Sequence, residues 1–228
     1  MRASWLRDGR SGLIDLLLPL HCAGCGTAGT AWCPDCSREL GGLHRVERPL
    51  LPPELPVYAL GRYRDAARRA ILAYKESGQR HLADPLAGHL VTGLRAITAE
   101  HQLDHRWCLV PAPSRAIAAR RRGGAHVLRI AHRMSALLTA RGWPTQVADC
   151  LVTARGAADS TGLDAAERVR NLSGRVLVRN GRIPPPTAQL VLIDDVITTA
   201  ATVAACSEVL GTAGRAFGAV LSLTATAG

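Results

Sequence analysis

Aromatic side chains make up only 4% of the 228 residues, and Lys75 is the single lysine among 28 basic residues. Few aromatics argue against an extensive base-stacking platform for nucleic acid, and the scattered Trp5, Trp32, Trp107 and Trp143 read as core or interface packing. The lone lysine excludes a Walker A loop, which needs Gly-Lys-Ser/Thr, because Lys75 stands between Tyr74 and Glu76. Its solitude reads first as a compositional preference for arginine and second as a special position. Long apolar runs are missing too: Leu13 to Leu20 is broken by Asp15 and Pro19 and falls short of the roughly 20 residues of a membrane span. Arg2, Arg7 and Arg10 imitate the charged start of a signal peptide, but Leu20-His21-Cys22 offers no small-residue cleavage site. A cytoplasmic protein without a membrane span is expected. There are no internal repeats, and 47% hydrophobic residues suffice for one sizeable α/β domain with a small appendage.

Acidic residues are absent from 105 to 148, a stretch holding eight arginines. Of the net charge of +10 that segment carries +8, leaving +2 for the remainder. Taken alone, such a run reads as a solvated loop. The seven cysteines are an odd number for a disulfide framework, and four of them fall between residues 22 and 36. That clustering points to metal binding in a reducing compartment, while Cys108, Cys150 and Cys206 read as small core residues.

Pro49 to Pro56 reads as a linker between an amino-terminal module, 1–48, and an α/β domain, 57–228. Beyond it, helix and strand signals alternate. A helix is predicted over Tyr63 to Lys75, and another with Asp84 as N-cap and Pro85 at its first position. A strand at Trp107 to Pro111 precedes a third helix through Val127 to Leu138 that ends at Gly142. Gln146 to Val152 reads as a strand, Asp164 with Glu167 as a capping-box-like helix start, and Val176 to Val178 as a brief strand. A strong strand, Leu190 to Ile193, then leads through a polar loop to a helix over Ala201 to Leu210 and a closing strand through Val220 to Leu223. This alternation predicts a mainly parallel sheet with helices on both faces.

Two motifs carry chemistry. Cys22-x-x-Cys25 and Cys33-x-x-Cys36 are paired thiolates suited to a tetrahedral zinc ion, with Gly24 and Gly26 permitting the turn. Four thiolates close the coordination shell, so the expected role is structural; an iron-sulfur cluster is the alternative. The second motif runs from Val191 to Thr202, where an apolar strand ends in Asp194 and Asp195 and passes through Val196, Thr198, Thr199, Ala200 and Ala201 into a helix. Amides at a helix start suit a phosphate, and the hydroxyls of Thr198, Thr199 and Thr202 add donors. The acids suit sugar hydroxyls or Mg2+. Together these groups describe a ribose 5-phosphate site; the bland reading is an ordinary N-capped turn.

At these residues the sequence resembles the phosphate loop of class I phosphoribosyltransferases, and the whole chain resembles the ComF/GntX family. Further segments carry the likeness: the four cysteines; Leu72-Ala73-Tyr74-Lys75 followed by Gly78; Val110-Pro111-Ala112-Pro113 leading to Arg122-Gly123; and Gly162-Leu163 through Glu167-Arg168 to Asn171. The resemblance implies a class I phosphoribosyltransferase-like fold that binds phosphoribosyl pyrophosphate (PRPP) with Mg2+ and transfers phosphoribose to a nitrogen acceptor. It implies that Lys75, Pro111, Ala112, Pro113 and Arg115 meet PRPP, that Arg120, Arg121 and Arg122 sit on a loop closing over the site, and that Asp195 is the better proton acceptor of the two catalytic acids. It equally implies the alternative of a single-stranded DNA-binding protein working with competence and DNA-uptake proteins. The chain departs from the family at Ala200, where the family has glycine, at Ser160 for a glutamine, and at Gly124-Ala125-His126 for Phe-Asn-Gln. A glycine restored at position 200 is expected to cost a little backbone entropy.

Overall fold

The computed structural model describes residues 20–101, 106–114, 125–154, 175–179 and 181–227. In chain order the elements are α1 (Pro34–Ser37), β1 (His44–Arg45), β2 (Val57–Arg62), α2 (Asp65–Lys75), α3 (Ala83–Glu100), β3 (Trp107–Pro111), α4 (His126–Thr139), β4 (Gln146–Val147), β5 (Leu151–Thr153), β6 (Val176–Val178), β7 (Gln189–Ile197), α5 (Ala201–Thr212) and β8 (Phe217–Ala225). Six strands form one sheet in the order β1-β2-β8-β7-β3-β4. All its neighbours are parallel except β1, which runs antiparallel to β2 at the edge. A separate antiparallel pair joins β5 to β6.

The central strands carry unbroken apolar runs, Leu190 to Ile193 in β7 and Ala219 to Leu221 in β8, because both sheet faces are covered. Val191 and Ile193 of β7, with Leu109, Leu221 and Leu60, pack against α2, α3 and α4. Leu190 and Leu192, with Cys108, Val110 and Val220, point to the other face, toward α5 and the β5-β6 pair. The mostly parallel sheet covered by helices is thus as the sequence implies. On α3, Gly93 leaves room for a sheet side chain: a Cβ there would lie 2.5 Å from Leu60 Cδ2.

Several boundaries differ, each for a local reason. Helix α3 begins at Ala83 with Leu82 in the N-cap position, so Asp84 and Pro85 are its second and third residues. A 3-10 turn, Arg80–Leu82, runs straight into it, and Pro85 stays within the first turn, where its missing amide hydrogen is not needed. The strand expected over Gln146 to Val152 is broken: β4 pairs with β3, whereas β5 turns away to pair with β6. Strand β7 continues past Ile193 to Ile197 because β8 pairs with it along that length. Strand β2, hidden behind the proline-rich run, has no counterpart in the sequence reading.

The cysteine segment packs on the same core as α2 and α3. Trp32, Cys33, Cys36 and Leu40 are buried together with Ala67, Ala70 and Leu86. The Glu39 carboxylate accepts from the Ala67 amide at 2.8 Å and the Ala66 amide at 3.4 Å, supplying α2 with a cap that its own N-cap residue, Arg64, does not provide.

Candidate functional site

The Sγ atoms of Cys22, Cys25, Cys33 and Cys36 all lie within 4.8 Å of one another. Cys25 and Cys33 are 3.7 Å apart, close to the ~3.8 Å that two sulfurs make at about 2.3 Å from a tetrahedral zinc ion. The first pair sits on a turn closed by Gly26 N–H to Cys22 O at 2.8 Å, with Gly26 at φ 82°. Gly24 leaves room for the sulfurs, since a Cβ there would lie 2.6 Å from Cys36 Sγ. In the second pair, Cys33 caps α1 and Pro34 opens it. Burial opposes ionisation of Cys22, yet the amides of Cys33, Cys25 and Gly24 outweigh it and bring the thiol down to about 6. Burial and the neighbouring sulfurs push Cys36 up instead. A bound cation reverses that opposition, because it favours all four thiolates together. The donor set therefore fits a structural zinc ion.

The second centre lies at the carboxyl edge of the sheet. β3 stops at Pro111, in register with Ile193, and Ala112 N–H closes onto Ile193 O at 2.8 Å. β7 runs on, paired only with β8, so the step between them leaves the acids beside the Ala112–Pro113 turn. Strand alternation sends the two acids to opposite faces. Asp195 points to the α2 and α4 side. Its Oδ2 is 3.0 Å from Lys75 Nζ at the end of α2 and 2.8 Å from His126 Nε2 at the start of α4, and its Oδ1 accepts from Val196 N–H at 2.8 Å. Burial opposes its ionisation, but the Lys75 ammonium and His126 hold the carboxyl well below the usual range. A carboxylate so engaged is a weaker proton acceptor than a free one. Asp194 points toward α5, and its Oδ1 accepts from Asp195 N–H at 2.8 Å. Burial and the charge of Asp195 push its carboxyl up, so the two neighbouring acids are driven apart.

Beyond β7, Thr198, Thr199 and Ala200 form the loop into α5. Ala200 is left-handed at φ 63° and ψ 14°, the conformation that favours glycine. Ala201 N–H meets Thr199 Oγ1 at 3.4 Å, while the next amides, of Thr202 and Val203, have no carbonyl within the helix to bond. Arg48 fastens the loop from outside, donating through Nε to Thr198 O at 2.8 Å and through Nη2 to Thr226 O at 2.6 Å.

Neither the protein-family models nor the curated proteins match the chain. The site therefore rests on its own geometry.

That geometry brings Lys75 to Asp195 and places Pro111 and Ala112 beside β7, which carries Val196 and leads through Thr198, Thr199 and Ala200 to Ala201 and Thr202 at the start of α5; Pro113 follows Ala112. The same geometry separates Asp194 from Asp195. Arg115, Arg120, Arg121 and Arg122 lie outside the described residues, as do Ser160, the Asp164 helix start and the Gly162–Asn171 segment. No helix among the described residues is long and apolar enough to cross a membrane. Sequence reasoning gave no role in the site to Arg48, His126 or Tyr74, although Tyr74 and His126 lie in segments compared with the family. The signals for this cluster were the solitary lysine and the acids at the end of the strand.

Proposed function

We propose that the chain binds PRPP and transfers its phosphoribosyl group to a nitrogen acceptor. The observation that carries this reading is the junction of β7 and α5. Amides with no carbonyl within the helix to bond, together with threonine hydroxyls at the helix start, suit the 5-phosphate, and they follow a carboxylate paired with the chain's only lysine at the edge of a parallel sheet. The likeness to the ComF/GntX family supports it.

In this reading the loop from Thr198 to Thr202 holds the 5-phosphate, with Arg48 fixing the loop from behind. Lys75 offers a cation to the pyrophosphate end beside Pro111 to Pro113, and Arg115 with Arg120, Arg121 and Arg122 would extend that positive wall. The acceptor nitrogen attacks the ribose C1 atom, the C1–O bond breaks with its electron pair going to pyrophosphate, and the nitrogen gives up a proton to water. Mg2+ bound with PRPP would supply charge neutralisation at the leaving group. Fixed cations at the leaving oxygens stabilise the same charge without reorganising. Calorimetric titration with PRPP, with and without Mg2+, tests the reading: Mg2+-dependent binding is expected, and no binding in either condition refutes it.

One observation favours a second reading, a single-stranded DNA-binding role. A groove of about 430 Å³ on α4 is lined by Ala125, Leu128, Arg129, His132, Arg133 and Ala136, with no acid among them. At its rim Arg133 bonds Asp84 at 3.0 Å. If DNA follows this face and the preceding arginines, replacing Arg120, Arg121 and Arg122 by Ala should flatten the salt dependence of binding by up to about one slope unit per lost phosphate contact. An unchanged slope removes those arginines from the interface.

A further inference from the structure

We infer that His126 is a positioning residue: through Asp195 it fixes the Lys75 ammonium where an anionic ligand meets it. The inference deepens the transferase reading and rests on it for the identity of the anion. Three elements converge on one carboxylate, since α2 brings Tyr74 and Lys75, β7 brings Asp195 and α4 opens with His126. Lys75 Nζ and His126 Nε2 share the same oxygen, Asp195 Oδ2, at 3.0 and 2.8 Å. The side chains of Asp195 and His126 are 8% and 6% exposed and that of Lys75 is 28% exposed. Of these three side chains, only that of Lys75 is appreciably exposed.

His126 is itself held rigidly. Tyr74, buried, donates its hydroxyl to His126 O at 2.8 Å, and the two rings meet edge to face at 6.2 Å. Its Nδ1 is buried and has no partner among the described residues, so among them the ring directs one hydrogen bond, to Asp195. A lysine has a flexible stem and a compact charge, and a carboxylate pinned from a second side removes much of that freedom. Remove His126, and Asp195 can rotate and take the ammonium with it. The role belongs to placement rather than chemistry, because His126 is too buried to touch a ligand without rearrangement.

Lys75 is the only lysine, so acetylation by an N-hydroxysuccinimide ester, read at the peptide containing residue 75, reports on this site alone. His126→Leu fills the space without the donor and should raise the labelling rate of Lys75 by about tenfold or more, the scale of losing one charge-assisted hydrogen bond. His126→Gln retains an N–H donor and should restore a rate within about twofold of wild type, a rescue that a space-filling role would not produce. Should His126→Leu not fold, His126→Asn, whose amide is too short to reach Asp195, is scored in its place. Equal rates in wild type and the donor-free variant, or equal rates in the Leu and Gln variants, overturn the inference. PRPP with Mg2+ should slow labelling of the wild type. If it does not, the transferase reading falls, while the variant rates still decide whether His126 positions Lys75.

Discussion

Replacing Ala200 by glycine should leave stability nearly unchanged, whereas the same replacement at Ala205, within the same helix, should be clearly destabilising. Both alanines are buried, at 4% and 7% exposure, so each loses about 0.8 kcal/mol of methyl burial. Both changes also loosen the unfolded chain, by roughly 0.4 to 1 kcal/mol. The difference lies in the backbone. Ala200 sits at φ 63°, where a side chain costs roughly 1 to 2 kcal/mol that glycine does not, while Ala205 lies within the helix. Relief of strain at Ala200 therefore offsets the losses to within about 1 kcal/mol, and Ala205→Gly should cost about 1.5 kcal/mol. At this chain length the gap corresponds to roughly 3 to 6 °C in Tm by calorimetry. The small entropy cost expected from sequence is thus opposed by a term that only the backbone angle reveals. Equal losses for the two variants would refute the left-handed assignment of Ala200 and the shape of the loop built on it.

Protein purified without added metal should contain about one zinc per chain, and replacing Cys22 or Cys33 by serine should lower both zinc content by elemental analysis and Tm, with Trp32 fluorescence reporting loss of docking. Asp195→Ala should cost about 2 kcal/mol in urea unfolding, because Lys75, His126 and the Val196 amide lose their shared acceptor, while Asp194→Ala should cost less than about 1. His89 accepts from Trp32 Nε1 at 3.2 Å and from Ser37 Oγ at 2.9 Å, and burial holds its pKa below the usual value of 6.5. The unfolded chain then binds more protons than the folded one, so stability should be full above that value and fall as pH drops below it, and His89→Gln should flatten this part of the profile measured by urea unfolding.

Local signals determined much of this protein from its sequence alone. Two Cys-x-x-Cys turns bring sulfurs together over a few bonds, so their spacing announced the metal site. The unbroken apolar run Val191 to Ile193 announced a strand covered on both faces, and the threonine-rich loop after it announced a helix start. Strands β4 and β5 read as one strand in the sequence, Gln146 to Val152, because two or three residues carry too short a period to show a break, and each exists because a neighbouring strand supplies its hydrogen bonds. The site itself was decided by tertiary structure. Asp194 and Asp195 look like a matched pair in the chain, but a strand's period of two turns them to opposite faces. Asp195 meets Lys75 and His126 because the sheet seats β7 between β8 and β3, with α2 and α4 packed on the same face. No local pattern encodes that meeting, since its partners come from separate elements and touch only after the sheet has ordered them.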